Sequence, residues 1–152
     1  CDVTLTIVGG GALEAELRQR IAAQDLRGVI TMTGRRDADR MPELYHRHDV
    51  FVSASAQEGM SNAMLEAMAS GLPIVTTRCE GVDELIQGNG CIAHEPTSAS
   101  LAEAIASLAR DPARLDQMRS EARRRAERFT WSAVARMYLD CYTAVLGAER
   151  MA

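Results

Sequence analysis

The sequence predicts an α/β fold in which a Rossmann-like parallel sheet carries helices on both faces. Short runs rich in β-branched residues alternate with longer segments of helical apolar periodicity. The predicted strands lie at residues 3–9, 29–34, 49–55, 73–77 and 91–93. Alternation of this kind is typical of βαβ units, whose crossover helices join parallel strands.

The segments between the predicted strands have the apolar spacing of helices. Three stripes repeat at helical intervals: Leu13, Leu17 and Ile21; Met41, Leu44 and Tyr45; and Met64, Leu65 and Met68. The third helix is expected to begin near Ser61. Gly71 followed by Pro73 should end it, because glycine favours the left-handed cap and proline cannot continue a helix.

From about Ser98 the sequence predicts a C-terminal extension of three helices without strands, lying along one edge of the sheet. A polar cap precedes each helix: Ser100 with Glu103 as a capping box, Asp111 before Pro112, and Thr130. No repeat or linker interrupts the chain, so residues 1–152 are expected to form one domain.

Composition excludes several classes of protein. The net charge of −4 and the lack of a basic tract beyond Arg123–Arg125 argue against nucleic-acid binding. No apolar run approaches the roughly 20 residues that span a bilayer, and no signal peptide is present, so a cytoplasmic location is expected. The four cysteines are far apart without a Cys-x-x-Cys pair, which favours buried free thiols over a zinc site.

The glycines at positions 9–11 follow the first predicted strand, as in a dinucleotide-binding turn. The fingerprint nevertheless fails, because its third glycine would stand where the chain has Glu14, a carboxylate that repels a pyrophosphate. A P-loop is excluded because all 17 basic residues are Arg and the chain has no Lys. Two interpretations of the turn at Gly10 stay open: a tight strand-to-helix connection, and close approach to a ligand.

The loop at residues 57–62 is a more specific signal. Glu58 and Gly59 precede a helix whose free amides should begin near Met60–Asn62, and such a helix start favours a phosphate. Glu66 follows Glu58 by eight positions, about 12 Å along a helix, so the two carboxylates would hold separate parts of an extended ligand. A carboxylate in this otherwise apolar stretch costs free energy unless it is paired. The alternative is an ordinary solvated helix face.

The run 58–75, EGMSNAMLEAMASGLPIV, resembles the signature of group 1 glycosyltransferases, glycosyltransferase family 4 of the GT-B fold. That signature has two Glu separated by seven residues, followed by Ala-Met-Ala-x-Gly-x-Pro-Val/Ile-Val. Further segments are similar to the family: 5–17, 29–35, 44–55, 81–85 and 129–131. The resemblance implies that the chain is one half of a GT-B enzyme, the C-terminal domain that binds the donor.

The resemblance also implies roles for individual residues. The backbone at Gly59, Met60, Ser61 and Asn62 would hold the donor phosphates, and Glu66 would hydrogen-bond the ribose. Glu58 would contact the sugar near its reactive end, as the catalytic candidate. The donor site would further include Gly10, from the glycine turn, and the pair Gly34 and Arg35, which flank the base. Members transfer sugar with retention of anomeric configuration, usually without a metal, so no cofactor is expected.

The chain departs from the family at the basic pair that stabilises the leaving diphosphate. The family's Arg and Lys lie just before the strand at residue 3, so the chain is expected to be a piece that lacks a first strand and the N-terminal acceptor domain, and to be inactive alone. Arg78 is more simply explained as a surface residue than as a phosphate ligand. His46, His48 and His94 are assigned no catalytic role, and Glu80-Gly81 replaces the family's usual Gly-Gly.

Transfer of a sugar in polysaccharide or glycolipid synthesis is the function that the resemblance favours. Its partners would be a nucleotide-sugar and the N-terminal domain, with no nucleic acid, and a peripheral membrane contact of the full-length enzyme is compatible with it. The alternatives are a non-catalytic nucleotide-binding module and a relative of GT-B nucleotide-sugar epimerases. The Arg-only basic set suggests a GC-rich bacterium. The last helix carries one apolar stripe, formed by Trp131, Val134, Tyr138 and Tyr142. Two interpretations of this stripe stay open: self-association and core packing.

Overall fold

The computed structural model describes residues 3–56 and 60–149, and it has two compact units, Cys1–Arg47 and His48–Ala152. Each unit contains a parallel sheet, and the predicted α/β class with helices on both sides is confirmed. That residues 1–152 form one domain stays a prediction.

The first unit is built around two parallel strands. Its elements in chain order are β1 (Leu5–Val8), α1 (Glu14–Ala23), β2 (Ile30–Gly34), a 3-10 turn (Ala38–Arg40) and α2 (Met41–His46). Strand β1 pairs with β2, with Leu5 opposite Ile30, so both predicted strands are confirmed with shorter bounds. The apolar stripe of α2 brings Tyr45 into the core, whereas Leu13 lies before α1 and is exposed.

The second unit has three parallel strands in the order β3 (Phe51–Ser53), β4 (Ile74–Thr76) and β5 (Gly90–Ile92). Helix α3 (Asn62–Ala69) connects the first pair and the short α4 (Val82–Leu85) the second. All three strand predictions are confirmed. The three residues of β4 are fully buried, as expected for a central strand covered on both faces.

Three helices follow the last strand, as predicted: α5 (Ser98–Ala109), α6 (Pro112–Ala126) and α7 (Trp131–Glu149), with a 3-10 turn at Glu127–Phe129. The expectation that they lie along an edge of the sheet is wrong for α5, because α5 contacts the central strand β4. Val75, Leu108 and Met118 form one buried cluster that joins β4, α5 and α6. These apolar residues cover a face of the sheet, because burial there removes more apolar surface from water than burial at an edge.

The caps of these helices are partly as predicted. The N-cap of α5 is Thr97, whose hydroxyl accepts a hydrogen bond from the Ser100 amide at 3.2 Å. The prediction that Ser100 is the N-cap is therefore wrong. The helix begins three residues earlier than predicted, and Ser100 Oγ instead accepts from the Glu95 amide at 3.2 Å. The predicted caps Asp111 and Thr130 are confirmed, at 3.0 and 3.2 Å from their amide donors.

Glycines stop one helix and permit one close backbone approach. Gly71, with φ of +80°, ends α3 in the left-handed conformation, as predicted. At Gly90, a Cβ atom would lie 2.2 Å from the carbonyl oxygen of Ile74. The neighbouring Asn89 carbonyl accepts from the Ile74 amide at 3.1 Å, so β4 and β5 approach each other where only glycine fits.

The basic tract Arg123–Arg125 makes structural contacts on the second unit. Arg123 donates to the carbonyl of Ala69, the last residue of α3. Arg124 pairs with Glu121, and this contact lowers the pKa of the Glu121 carboxyl and raises the pKa of the Arg124 guanidinium. Arg125 is 6% exposed and points inward. The tract therefore stabilises the fold and forms no continuous basic face.

Helix α7 presents apolar side chains to solvent. Trp131 is 90% exposed, and Tyr138 and Tyr142 are each 60% exposed with ring centroids 6.2 Å apart. The core-packing interpretation is therefore wrong for these three residues, while Val134 is half-buried. Self-association through this stripe stays a prediction. None of the helices over 3–56 and 60–149 has the length and hydropathy to cross a membrane.

Candidate functional site

In the first unit, the carboxyl ends of β1 and β2 bring together the glycine turn and the loop after β2. Val8 lies opposite Gly34, and the Gly9 amide donates to the Gly34 carbonyl at 2.9 Å. A Cβ atom on Gly10 would lie 3.7 Å from Cγ of Arg35. The structure thus places Gly10, Gly34 and Arg35 side by side, where open parallel sheets bind ligands.

A carboxylate stands beside the glycine turn. A Cβ atom on Gly10 would lie 3.2 Å from Oε2 of Glu14, and the other oxygen of that carboxylate accepts from Nη2 of Arg18 at 2.8 Å. The negative charge of Glu14 would repel a pyrophosphate at this turn. This agrees with the rejection of a dinucleotide fingerprint in the sequence. Gly34 has φ of +69°, a conformation suited to glycine, and exposed Arg35 follows it.

In the second unit, the first amides of α3 have no partner within the helix itself. The first helical hydrogen bond runs from the Leu65 amide to the Ser61 carbonyl (3.1 Å), so the amides of Asn62, Ala63 and Met64 have no partner within the helix. Ser61 occupies the N-cap in extended conformation, but its hydroxyl makes no capping bond among the described residues. The first turn also has no acidic residue. An anion at this helix start would meet amide donors and the positive end of the dipole.

Glu66 lies on the solvent side of α3, one turn after Asn62. Both side chains are exposed, whereas Met64, Ala67 and Met68 form the buried side. The cost expected for a carboxylate in an apolar stretch therefore does not apply, because the polar residues Asn62 and Glu66 lie outside the buried side of the helix. Glu66 is about 6 Å from the helix start along the axis, counted at about 1.5 Å per residue. The structure thus places Ser61, Asn62 and Glu66 at the N-cap, the first residue and the fifth residue of one helix.

The remaining residues of the predicted loop are only partly described. Met60 is exposed and precedes Ser61. Glu58 and Gly59 lie outside the described residues, so the catalytic candidate and its spacing from Glu66 stay predictions.

A cluster of hydroxyl groups at the carboxyl ends of β3 and β4 was not predicted. Thr77 Oγ1 donates to the Ser55 carbonyl at 2.8 Å, and the hydroxyls of Ser53 and Ser55 are 3.4 Å apart. The signal in the sequence is that both strands end in Ser or Thr. Parallel pairing brings such ends to the same edge, and Ser53 indeed lies opposite Thr76.

Other candidate groups do not assemble into a reactive site. Arg78 makes a two-oxygen ion pair with Asp83, at 2.9 and 2.8 Å, and both side chains are exposed, in agreement with a surface role. His46 and His94 are exposed, and His48 is half-buried. Over residues 3–56 and 60–149, no three His, Cys, Asp or Glu side chains are grouped closely enough to hold a metal ion.

The fold and the α3 start define an α/β protein suited to an anionic ligand, and comparison with known proteins gives its family. Residues 1–111 match the model of the family described as glycosyl transferases group 1. The chain is 34% identical over 116 residues to the amylovoran biosynthesis glycosyltransferase AmsK of Erwinia amylovora, covering 71% of this chain and 28% of that protein. It is 32% identical over 149 residues to the D-inositol 3-phosphate glycosyltransferase of Pseudarthrobacter chlorophenolicus, covering 95% and 36%.

A solved structure agrees with these relatives. The chain matches Anabaena Alr3699/HepE in complex with UDP with a TM-score of 0.82 and 26% identity, over 93% of this chain and 41% of that one. The chain therefore belongs to the group 1 glycosyltransferases and has the fold of their GT-B domains, which confirms the resemblance found in the run 58–75. It spans about a third of the length of the curated relatives that it matches.

Proposed function

We propose that this chain binds the nucleotide-sugar donor of an enzyme that transfers a sugar to an acceptor. The observation that carries the proposal is the start of α3. Its amides at Asn62, Ala63 and Met64 have no partner within the helix, and exposed Glu66 follows one turn later. A diphosphate suits such amides, and a carboxylate accepts hydrogen bonds from ribose hydroxyls.

The family resemblance gives each candidate residue a role toward the donor. In the second unit, Gly59, Met60, Ser61 and Asn62 would hold the diphosphate, Glu66 the ribose, and Glu58 the transferred sugar, as the catalytic residue. In the first unit, Gly10, Gly34 and Arg35 would border the base. Two observations support these roles: Gly10, Gly34 and Arg35 lie together at the carboxyl ends of β1 and β2, and the Anabaena relative was solved in complex with UDP.

The finer features of the reaction follow the family resemblance. The transfer would retain the anomeric configuration and need no metal ion or other cofactor. The acceptor would be a polysaccharide or glycolipid precursor, and the reaction would take place in the cytoplasm, with a peripheral membrane contact of the full-length enzyme. The acceptor would be held by an N-terminal domain of the same enzyme.

A non-catalytic nucleotide-binding module is the second candidate. Such a module would bind the same nucleotide and perform no transfer. Arg78, the basic residue next to β4, is engaged by Asp83. Both candidates require nucleotide binding and differ only in transfer.

Binding is tested by a thermal-shift panel of UDP, GDP and ADP with their sugar conjugates on the 152-residue chain. A stabilisation by one base in preference to the others would support donor binding and identify the base. If none of these ligands shifts the unfolding temperature at millimolar concentration, the proposal that this chain binds the donor is wrong. Because the chain is expected to be inactive alone, hydrolysis or transfer assays with the same ligands on the full-length protein distinguish an enzyme from a binding module.

A further inference from the structure

Thr77 connects the end of β4 to the segment that leaves β3. Its hydroxyl donates to the main-chain carbonyl of Ser55 at 2.8 Å, across 22 positions of sequence. Its own amide donates to the Ser53 carbonyl at 3.3 Å. One residue therefore holds two carbonyl groups, that of Ser53 at the end of β3 and that of Ser55 two residues further on.

The side chain of Thr77 is placed for this contact. Thr77 is 5% exposed, so its hydroxyl has little access to water and would be costly to leave unpaired. The preceding Thr76, fully buried, uses its hydroxyl locally and donates to the Thr77 carbonyl at 3.1 Å. The two neighbouring threonines thus have similar burial, but only Thr77 reaches another segment of the chain.

The segment that Thr77 holds leads directly to α3. Ser55 lies seven positions before Asn62, the first residue of that helix. The hydroxyls of Ser53 and Ser55, 3.4 Å apart, form a second contact within the same segment. The place where the chain leaves the sheet is therefore set by hydrogen bonds to the Ser55 carbonyl and between the serine hydroxyls.

We infer that Thr77 is a positioning residue, whose hydroxyl fixes the segment after β3 and thereby the orientation of the amides at the start of α3. The inference rests on the proposed function, in which those amides hold the donor diphosphate. Thr77 would touch neither the sugar nor the phosphates. Its effect on binding would pass through the Ser55 carbonyl.

The experiment compares the 152-residue wild type with Thr77→Val, Thr77→Ser and the matched control Thr76→Val. Amide hydrogen exchange is followed over residues 54–61 without ligand, and calorimetry gives the Kd of the nucleoside diphosphate that the wild type binds best. We expect Thr77→Val to speed amide exchange over 54–61 and to raise the Kd, each by about fivefold. This factor corresponds to the net contribution of one hydrogen bond to stability. Thr77→Ser should restore both values, and Thr76→Val should leave both near the wild type.

Equal effects of Thr76→Val and Thr77→Val, or wild-type exchange over 54–61 in Thr77→Val, would overturn the inference. If Thr77→Val fails to fold, Thr77→Ala, which also lacks the hydroxyl but is smaller, takes its place. If the wild type binds none of the diphosphates, the proposed function fails for this chain. The exchange measurement then still decides whether Thr77 fixes the segment.

Discussion

The guanidinium of Arg125 donates a hydrogen bond from Nε to the carbonyl oxygen of Leu85 at 3.0 Å. Leu85 is the last residue of α4, and a second donation goes to the Glu84 carbonyl. A positive group at the end of a helix satisfies free carbonyls and complements the helix dipole. The Phe129 ring covers the same guanidinium, with its centroid 6.0 Å from Cζ. Burial, and to a lesser extent the charge of Arg128, lower the pKa of Arg125.

Arg125→Lys should destabilise the chain by about 2–3 kcal/mol, because a lysine cannot donate to both carbonyls from one planar group and its charge would remain buried. Urea unfolding monitored by circular dichroism measures the change. Arg124→Lys is the control, since its ion pair with Glu121 lies at the surface and the variant should keep a free energy of unfolding near that of the wild type. Equal stabilities of the two variants would contradict the role of Arg125.

Gly90→Ala should destabilise the chain by about 3 kcal/mol or more, because the added Cβ would lie 2.2 Å from the Ile74 carbonyl oxygen and force β4 and β5 apart. Thermal unfolding measures the loss. Gly28→Ala, which has no atom within 4 Å of the added Cβ, should change stability by less than about 1 kcal/mol. A stable Gly90→Ala variant would mean that the strands are not this close.

Glu66→Ala should abolish the thermal shift produced by a nucleoside diphosphate, because the ribose hydroxyls would lose their acceptor. The variant itself should keep its unfolding temperature, since the side chain is exposed. Glu103→Ala, an exposed glutamate on α5, should keep the full shift. An unchanged shift in Glu66→Ala would remove this residue from the site.

Asn62→Asp should change stability and binding in opposite directions. A carboxylate in the first turn stabilises a helix by about 0.3–1 kcal/mol through the dipole. The same charge near a diphosphate should weaken its binding by about tenfold through repulsion. Ser98→Asp, at the equivalent first position of α5, should raise stability without changing Kd. Binding at wild-type strength in Asn62→Asp would place the diphosphate elsewhere.

Local patterns in the sequence predicted the fold well. All five strands are confirmed, because runs such as 73–77 are apolar and β-branched and are bounded by proline or polar residues. Asp111 and Thr130 cap helices as predicted, because capping depends on residues only three positions apart. The prediction of Ser100 as the N-cap of α5 was wrong because Thr97, three residues earlier, also has a hydroxyl that can accept from a backbone amide. A cap at Thr97 also gives a longer helix.

Contacts between distant segments could not be predicted in the same way. Arg125 looks in the sequence like one member of a basic tract, and nothing local indicates that it reaches Leu85, 40 positions away. The bond from Thr77 to Ser55 likewise depends on which strand ends meet. For the candidate site, the position of Glu66 one turn after the start of α3 could be predicted from helix spacing. Its exposure could not, because the neighbouring alanines fit either side of a helix.

Helix α6 has a consequence for where the chain can be shortened. The family match ends at residue 111, one residue before this helix begins. Yet Arg123 holds the carboxyl end of α3, Arg125 holds that of α4, and Met118 fills the cluster around Val75. An expression clone trimmed to the family match would lose all three supports, so its boundary belongs after Phe129 rather than at Asp111.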